Sequence, residues 1–93
     1  SGTVGISDMK IGQEFFHIYP NPTTDILYIQ NDVNPNELFE IQITDLEGHS
    51  ILSDQTTSPL TTIQFNSYKP GLYFIHLTNA SGQKQVQKVI KVN

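Results

Sequence analysis

Apolar and polar residues alternate with a period of two along much of the chain. The clearest case is residues 38–45, where Phe39, Ile41 and Ile43 share one parity and the residues between them are polar. Successive side chains of a β-strand point to opposite faces, so this pattern indicates a strand with one buried face. Similar short segments recur between clusters of turn residues, at residues 14–19, 25–31, 38–45, 50–55, 61–66, 71–79 and 84–92.

These segments predict an all-β fold. Seven short strands between residues 14 and 93 favour a seven-stranded immunoglobulin-like β-sandwich of two antiparallel sheets. No stretch of useful length has the period of an amphipathic helix. Residues 1–13 contain three glycines and no sustained period, so they predict a linker that precedes the sandwich domain of residues 14–93.

Position in the sheet can be predicted for the strand at residues 71–79. Its apolar residues fall on both parities, as Tyr73 and Phe74 illustrate, which is typical of a central strand. Gly71 opens this strand directly after a proline, and Gly48 lies in the turn DLEGHS. Both positions suit a residue with positive φ, which glycine adopts without steric cost.

A rigid break separates the first two strands at Tyr19, Pro20, Asn21 and Pro22. Neither proline can donate a ladder hydrogen bond, and each holds φ near −65°. The segment therefore predicts a corner at which the first strand ends and the chain turns. One interpretation is that the corner is purely structural, and the other is that it also forms part of a recognition surface.

Charge divides the chain into two parts. The first 54 residues contain all nine acidic residues and one lysine, a net charge of −8, whereas the last 39 contain four lysines and no acidic residue. One interpretation is that acidic and basic strands pair within one sheet. The chain has no arginine, which argues against a nucleic-acid binder, because arginine makes the bidentate contacts to phosphate and guanine.

The composition excludes several kinds of site. Without cysteine, the chain has neither a disulfide framework nor a thiolate zinc site. No apolar run reaches the length of a transmembrane helix, and no signal-peptide pattern is visible. The three histidines are His17, His49 and His76. No two of them have the close spacing in sequence that would form a ready pair of metal ligands.

No constellation of catalytic residues is visible either. The acidic residues before Gly48 only faintly resemble a calcium loop, because the twelve-residue ligand pattern is missing. No nucleophile–base pair or nucleotide-binding motif is present. We therefore predict that the chain is not an enzyme and holds no cofactor or metal. Three aromatic residues, Tyr28, Tyr68 and Phe74, could instead form a sugar-binding platform. A carbohydrate-binding or adhesive module therefore remains a second possible function.

Five motifs follow one another in a distinctive order. A Tyr-Pro-Asn-Pro corner at 19–22 precedes a Leu-x-Ile strand at 27–29, an Asp-x-x-Gly turn at 45–48, a Gly-x-Tyr strand at 71–73 and a lysine-bearing apolar strand at 88–92. In order and spacing, residues 17–93 resemble the type A C-terminal sorting domain of the type IX (Por) secretion system of Bacteroidota. The residues that carry this resemblance are Tyr19, Pro20, Asn21, Pro22, Gly48, Gly71, Tyr73, Lys88, Val89, Ile90, Lys91 and Val92.

The resemblance implies a function that involves no catalysis. Such a domain is the tail of a larger exported protein, and it is read by the outer-membrane translocon and shuttle components after its passage into the periplasm. In many members a sortase-like surface protease then removes it, and the cargo is released or anchored at the cell surface. The fold of the family, a seven-stranded immunoglobulin-like sandwich, agrees with the strand pattern described above.

The terminal strand is the first candidate for the address itself. Its residues of one parity are Val86, Lys88, Ile90 and Val92. The other parity holds Val89 and Lys91, so neither face is purely apolar. Such a strand could pair with the sheet edge of a partner, or it could be an ordinary edge strand whose lysines prevent aggregation. The two interpretations are compatible, and we treat both lysines as surface charges.

Overall fold

The computed structural model describes residues 16–33 and 35–93. These residues form seven strands: β1 (Phe16–Tyr19), β2 (Ile26–Asn31), β3 (Phe39–Asp45), β4 (Ser50–Thr56), β5 (Leu60–Gln64), β6 (Gly71–Asn79) and β7 (Lys84–Lys91). The strands follow the predicted segments in order and differ from them by no more than two residues at the described ends. The predicted linker at residues 1–13 and the predicted start of the first strand lie outside the described residues.

The strands form two sheets, and every strand pair within them is antiparallel. One sheet has the order β1-β2-β5 and the other the order β4-β3-β6-β7. Strand β6 is central, as its two apolar parities predict, and β7 lies at an edge. The expectation that acidic and basic strands pair directly is wrong. The lysine-bearing β7 pairs with β6, which contains no acidic residue, and β6 separates it from the acidic β3.

One hydrophobic core lies between the sheets. Along β3 and β6 the buried residues alternate with more exposed ones, as the period of two requires. The core receives side chains from both sheets, and its buried members are Phe16, Leu27, Ile29, Phe39, Ile41, Ile43, Ile63, Phe65, Tyr73, Ile75, Leu77 and Val89.

The backbone at Gly71 has a conformation that other residues rarely adopt. Its φ is +150°, and no heavy atom outside residues 70–72 lies within 4 Å of the position that a Cβ atom would occupy. We expect Gly71→Val to lower the free energy of unfolding by about 1–3 kcal/mol, because the cost comes from the backbone. Urea unfolding of this variant and of Gly71→Ala measures the loss. A loss in the valine variant alone would indicate side-chain crowding instead.

Candidate functional site

The corner at residues 19–22 lies against the terminal strand. Asn21 Nδ2 donates to the Lys88 carbonyl at 2.9 Å, and Asn21 Oδ1 accepts from the Ile90 N–H at 3.0 Å. One side-chain amide thus binds the edge of β7 with a donor and an acceptor, as a neighbouring strand would. Both peptide bonds that precede the corner prolines are cis. Because Asn21 bonds to Lys88 and Ile90, the two segments that the sequence suggested separately form one continuous surface.

Thr23 continues this contact along the strand. Its N–H donates to the Ile90 carbonyl at 2.9 Å, and its carbonyl accepts from the Val92 N–H at 2.9 Å. The Thr23 hydroxyl donates to the Ile26 carbonyl at 2.8 Å, and the residue is buried. The outer edge of β7 is thus already bonded from the Lys88 carbonyl to the Val92 amide. Pairing of this half of the strand with a partner's sheet edge, one of the two interpretations, is wrong.

Gln85 makes a matching contact near the other end of β7. Its Nε2 donates to the Phe16 carbonyl at 3.0 Å, and its Oε1 accepts from the Phe16 N–H at 3.1 Å. Two side-chain amides, those of Asn21 and Gln85, therefore join the edges of the two sheets. The sequence analysis missed Gln85 and Thr23. The only signal for Gln85 is a polar residue on the same parity as the apolar Val89.

Lys88 and Lys91 occupy different environments. Lys88 is exposed, whereas Lys91 has only 5% of its surface exposed. The Lys91 ammonium group donates to the Val92 carbonyl at 3.3 Å. The expectation that both lysines are surface charges is therefore wrong for Lys91. Its parity is that of the buried Val89, so its aliphatic chain is covered while its charged end reaches a backbone carbonyl.

The Gly-x-Tyr motif lies beside the terminal strand. The register places Gly71 opposite Lys91 and Tyr73 opposite Val89. The Tyr73 hydroxyl donates to the Lys69 carbonyl at 2.6 Å, and burial, helped by the negative charge of Asp45, raises the pKa of Tyr73. Tyr73 therefore ties the loop before β6 to the strand that supports β7.

The Asp-x-x-Gly turn is separate from this surface and joins β3 to β4. Gly48 has φ +89°, as predicted, and its N–H donates to the Asp45 carbonyl at 3.0 Å. Asp45 Oδ1 accepts from the N–H groups of Glu47 and His49 at 3.0 and 2.9 Å. Possible ligand atoms of Asp45, Glu47 and His49 lie within 4.8 Å of one another. These hydrogen bonds hold the Asp45 carboxylate inside the turn.

Asp45 links this turn to pH. Burial raises its pKa, but hydrogen bonds from His49 and Glu47 outweigh burial and hold the pKa below its usual 3.8. A lowered pKa in the folded state stabilises the fold at neutral pH, and this contribution is lost as pH falls through that pKa. We expect Asp45→Asn to weaken the loss of stability below about pH 4. Urea unfolding at neutral and acid pH measures the loss of stability in the parent and in the variant. The same pH dependence in both would contradict this prediction.

The aromatic residues proposed as a sugar platform lie apart. Tyr28 belongs to the three-stranded sheet and stacks on Tyr19, with ring centroids 5.4 Å apart. Phe74 lies on the outer parity of the four-stranded sheet, and Tyr68 packs against Phe65 with ring centroids 4.7 Å apart. Their arrangement therefore gives no support to the carbohydrate-binding alternative. In the part of the chain that the structure describes, no helix is long and apolar enough to cross a membrane.

Comparison with known proteins identifies a family for this chain. A family profile described as a secretion system C-terminal sorting domain matches residues 17–92. Beta-agarase D of Zobellia galactanivorans is 27% identical over 77 residues, which are 83% of this chain and 15% of that protein. The family match confirms the resemblance predicted from the five motifs.

Solved structures confirm the fold. A DUF3244 family protein from Bacteroides vulgatus, an immunoglobulin-like β-sandwich, matches with a TM-score of 0.73 and 17% identity over 84% of this chain and 85% of that one. PorZ, a surface component of the type IX secretion system of Porphyromonas gingivalis, matches with a TM-score of 0.60 and 20% identity. That match covers 84% of this chain and 11% of PorZ. The predicted immunoglobulin-like sandwich is therefore confirmed.

Proposed function

Because the chain belongs to the family of secretion system C-terminal sorting domains, the sorting signals of the type IX system, we propose that it is the address-bearing tail of a larger cargo protein. In this proposal residues 14–93 form the address domain and residues 1–13 the linker to the cargo. The outer-membrane translocon and its shuttle components read the domain from the periplasm. The cargo reaches the cell surface or the medium, where a sortase-like protease removes the tail. The domain itself performs no catalysis.

The contact of Asn21 with β7 is the observation that supports a defined address. It combines the corner, residues 19–22, and the end of the chain, residues 88–92, into what we call the corner–strand surface. Tyr19 and Ile90 expose 40% and 39% of their surfaces there, and Lys88, two positions before Ile90 on β7, is also exposed. Machinery that accepts many cargoes must read the tail rather than the cargo, and a rigid surface of the tail meets that need.

Export of a reporter tests the function. A folded, secretable reporter is fused to the N-terminus of the 93-residue chain and expressed in a bacterium with type IX machinery. We expect the reporter outside the cell or on its surface, and we expect it to remain in the periplasm of a strain without the translocon. Equal export from both strains, or retention in both, would refute the proposed function.

Two matched substitutions test the corner–strand surface. Asn21→Ala and Gln85→Ala each remove a side-chain amide that bonds backbone groups of the other sheet edge, at about 0.5–1.5 kcal/mol per hydrogen bond. Only Asn21 belongs to the proposed address. We therefore expect export to fall for Asn21→Ala and to stay near the parental level for Gln85→Ala. Equal losses in both variants would show that Asn21 acts through stability alone.

A further inference from the structure

The terminal strand turns most of its apolar residues outward. On the outer parity of β7, Val86 and Ile90 expose 57% and 39% of their surfaces, and Val92 follows with 38%. The inner parity holds two glutamines, Val89 and Lys91. A strand of an independent sandwich normally shows the opposite arrangement, because apolar side chains favour the core. Local rules that fail in this way are expected at functional sites.

The outward residues of β7 continue across the neighbouring strand. The register places Leu72 opposite Ile90, Phe74 opposite Lys88 and His76 opposite Val86. Leu72 and Phe74 are half-buried on the outer parity of β6. We call the group formed by Leu72, Phe74, Val86, Lys88 and Ile90 the outer strip.

Within the part of the chain that the structure describes, the positive charge of the strip has no carboxylate partner. Lys84 and Lys88 lie on the outer parity of β7, and β6 keeps them away from the acidic residues of β3. Among residues 16–33 and 35–93, the ion pairs join histidines to acidic residues, as in His17 with Asp32, and none includes these lysines. An apolar strip with unneutralised lysines complements a partner that is apolar and acidic.

The strip offers side chains rather than backbone. Asn21 and Thr23 already bond the outer edge of β7 from the Lys88 carbonyl to the Val92 amide, so no strand can be added there. A partner at this end of β7 must lie on the outer face of the sheet. We infer that the outer strip is the docking face for an acidic, apolar protein surface of the secretion machinery, an inference that rests on the proposed function.

Two other occupants fit less well. A second copy would meet the strip through a two-fold axis and bring the lysines of both copies into one contact, where like charges repel. An anionic membrane attracts clusters of roughly 4–8 basic residues, whereas the strip and its end provide Lys88 and Lys84. Both occupants are outcomes of the test.

Export of the reporter fusion tests the strip. Val86→Thr with Ile90→Thr keeps β-branched side chains but removes apolar contact area, and Lys88→Glu reverses the charge. We expect export to fall roughly tenfold in each case, equivalent to the loss of a modest binding contribution. Lys88→Arg keeps the charge and should keep export. The controls are Leu60→Thr, an exposed apolar residue of the three-stranded sheet, and Lys69→Glu, an exposed lysine outside the strip. Both should be exported like the parent.

The outcomes separate the two proposals. Urea unfolding must first show that the strip variants are as stable as the controls. If the parental fusion depends on the translocon and the strip variants are exported equally well, the docking face is refuted while the sorting function stands. Parental export of Lys88→Glu alone would refute the acidic partner. Dimerisation of the 93-residue chain in sedimentation, or its binding to phosphatidylglycerol vesicles, overturns the inference if the strip variants abolish it.

Discussion

Deletion of residues 88–93 is expected to unfold the domain. The deletion removes Val89, whose side chain is fully buried, together with half of the ladder between β7 and β6. It also removes the backbone groups that Asn21 and Thr23 bind. Burial of one valine and several hydrogen bonds together contribute about 3–5 kcal/mol, a large part of the stability of a small domain. Circular dichroism during heating measures the loss.

This result bears on how an export defect of the truncated chain is interpreted. A chain without residues 88–93 would fail to be exported whether these residues are read directly or only hold the fold together. Removal of Asn93 alone is the matched control, because it is exposed and lies beyond β7. The control should melt like the parent. A truncated chain that still melts cooperatively at the parental temperature would contradict the importance of Val89.

Phe65→Ala is expected to cost about 3–5 kcal/mol, the usual penalty for deleting a buried aromatic ring. Phe65 is fully buried, and the rings of Tyr68 and Tyr73 lie with their centroids 4.7 and 5.5 Å from its own. The three rings hold together the loop that leads into β6. Because β7 pairs only with β6 within its sheet, loosening this loop also weakens the support of the corner–strand surface.

Urea unfolding of Phe65→Ala measures this loss, and two milder variants calibrate it. Phe65→Leu keeps most of the buried volume and should lose less stability than the alanine variant. Tyr68→Phe keeps the ring and removes only a hydroxyl from a half-buried residue, so its free energy of unfolding should stay close to that of the parent. If Phe65→Ala were no less stable than Tyr68→Phe, the aromatic cluster would not support the fold.

The corner and the terminal strand depend on each other in this structure. The prolines end β1 and place Asn21 where its side chain completes the edge of β7. In turn, β7 gives the corner a fixed partner and presents the outer strip beside it. Because Asn21 and Thr23 occupy the strand edge, the face of the sheet becomes the surface available for recognition. We therefore compare variants that have the same free energy of unfolding. Among them, substitutions on the outer face of β7 should reduce export more than substitutions on its inner parity.

The sequence alone determined where the seven strands lie along the chain and which glycines occupy the turns. Alternation along β3, the prolines of the corner and Gly48 are local signals, because each depends on the geometry of a few neighbouring residues. The same period of two could not show which parity of β7 faces the core, since both parities mix apolar and polar residues. The sequence therefore gave no sign that Lys91 is buried, and the structure corrected its assignment as a surface charge.

Only the tertiary structure decided which edges of the two sheets meet. Asn21 and Ile90 are 69 positions apart, and their hydrogen bond depends on how one sheet lies on the other. Strand periodicity describes faces within a sheet and carries no information about contacts between the edges of different sheets. The corner and the terminal strand were therefore visible in the sequence as two motifs, and the packing of the sandwich made them one surface.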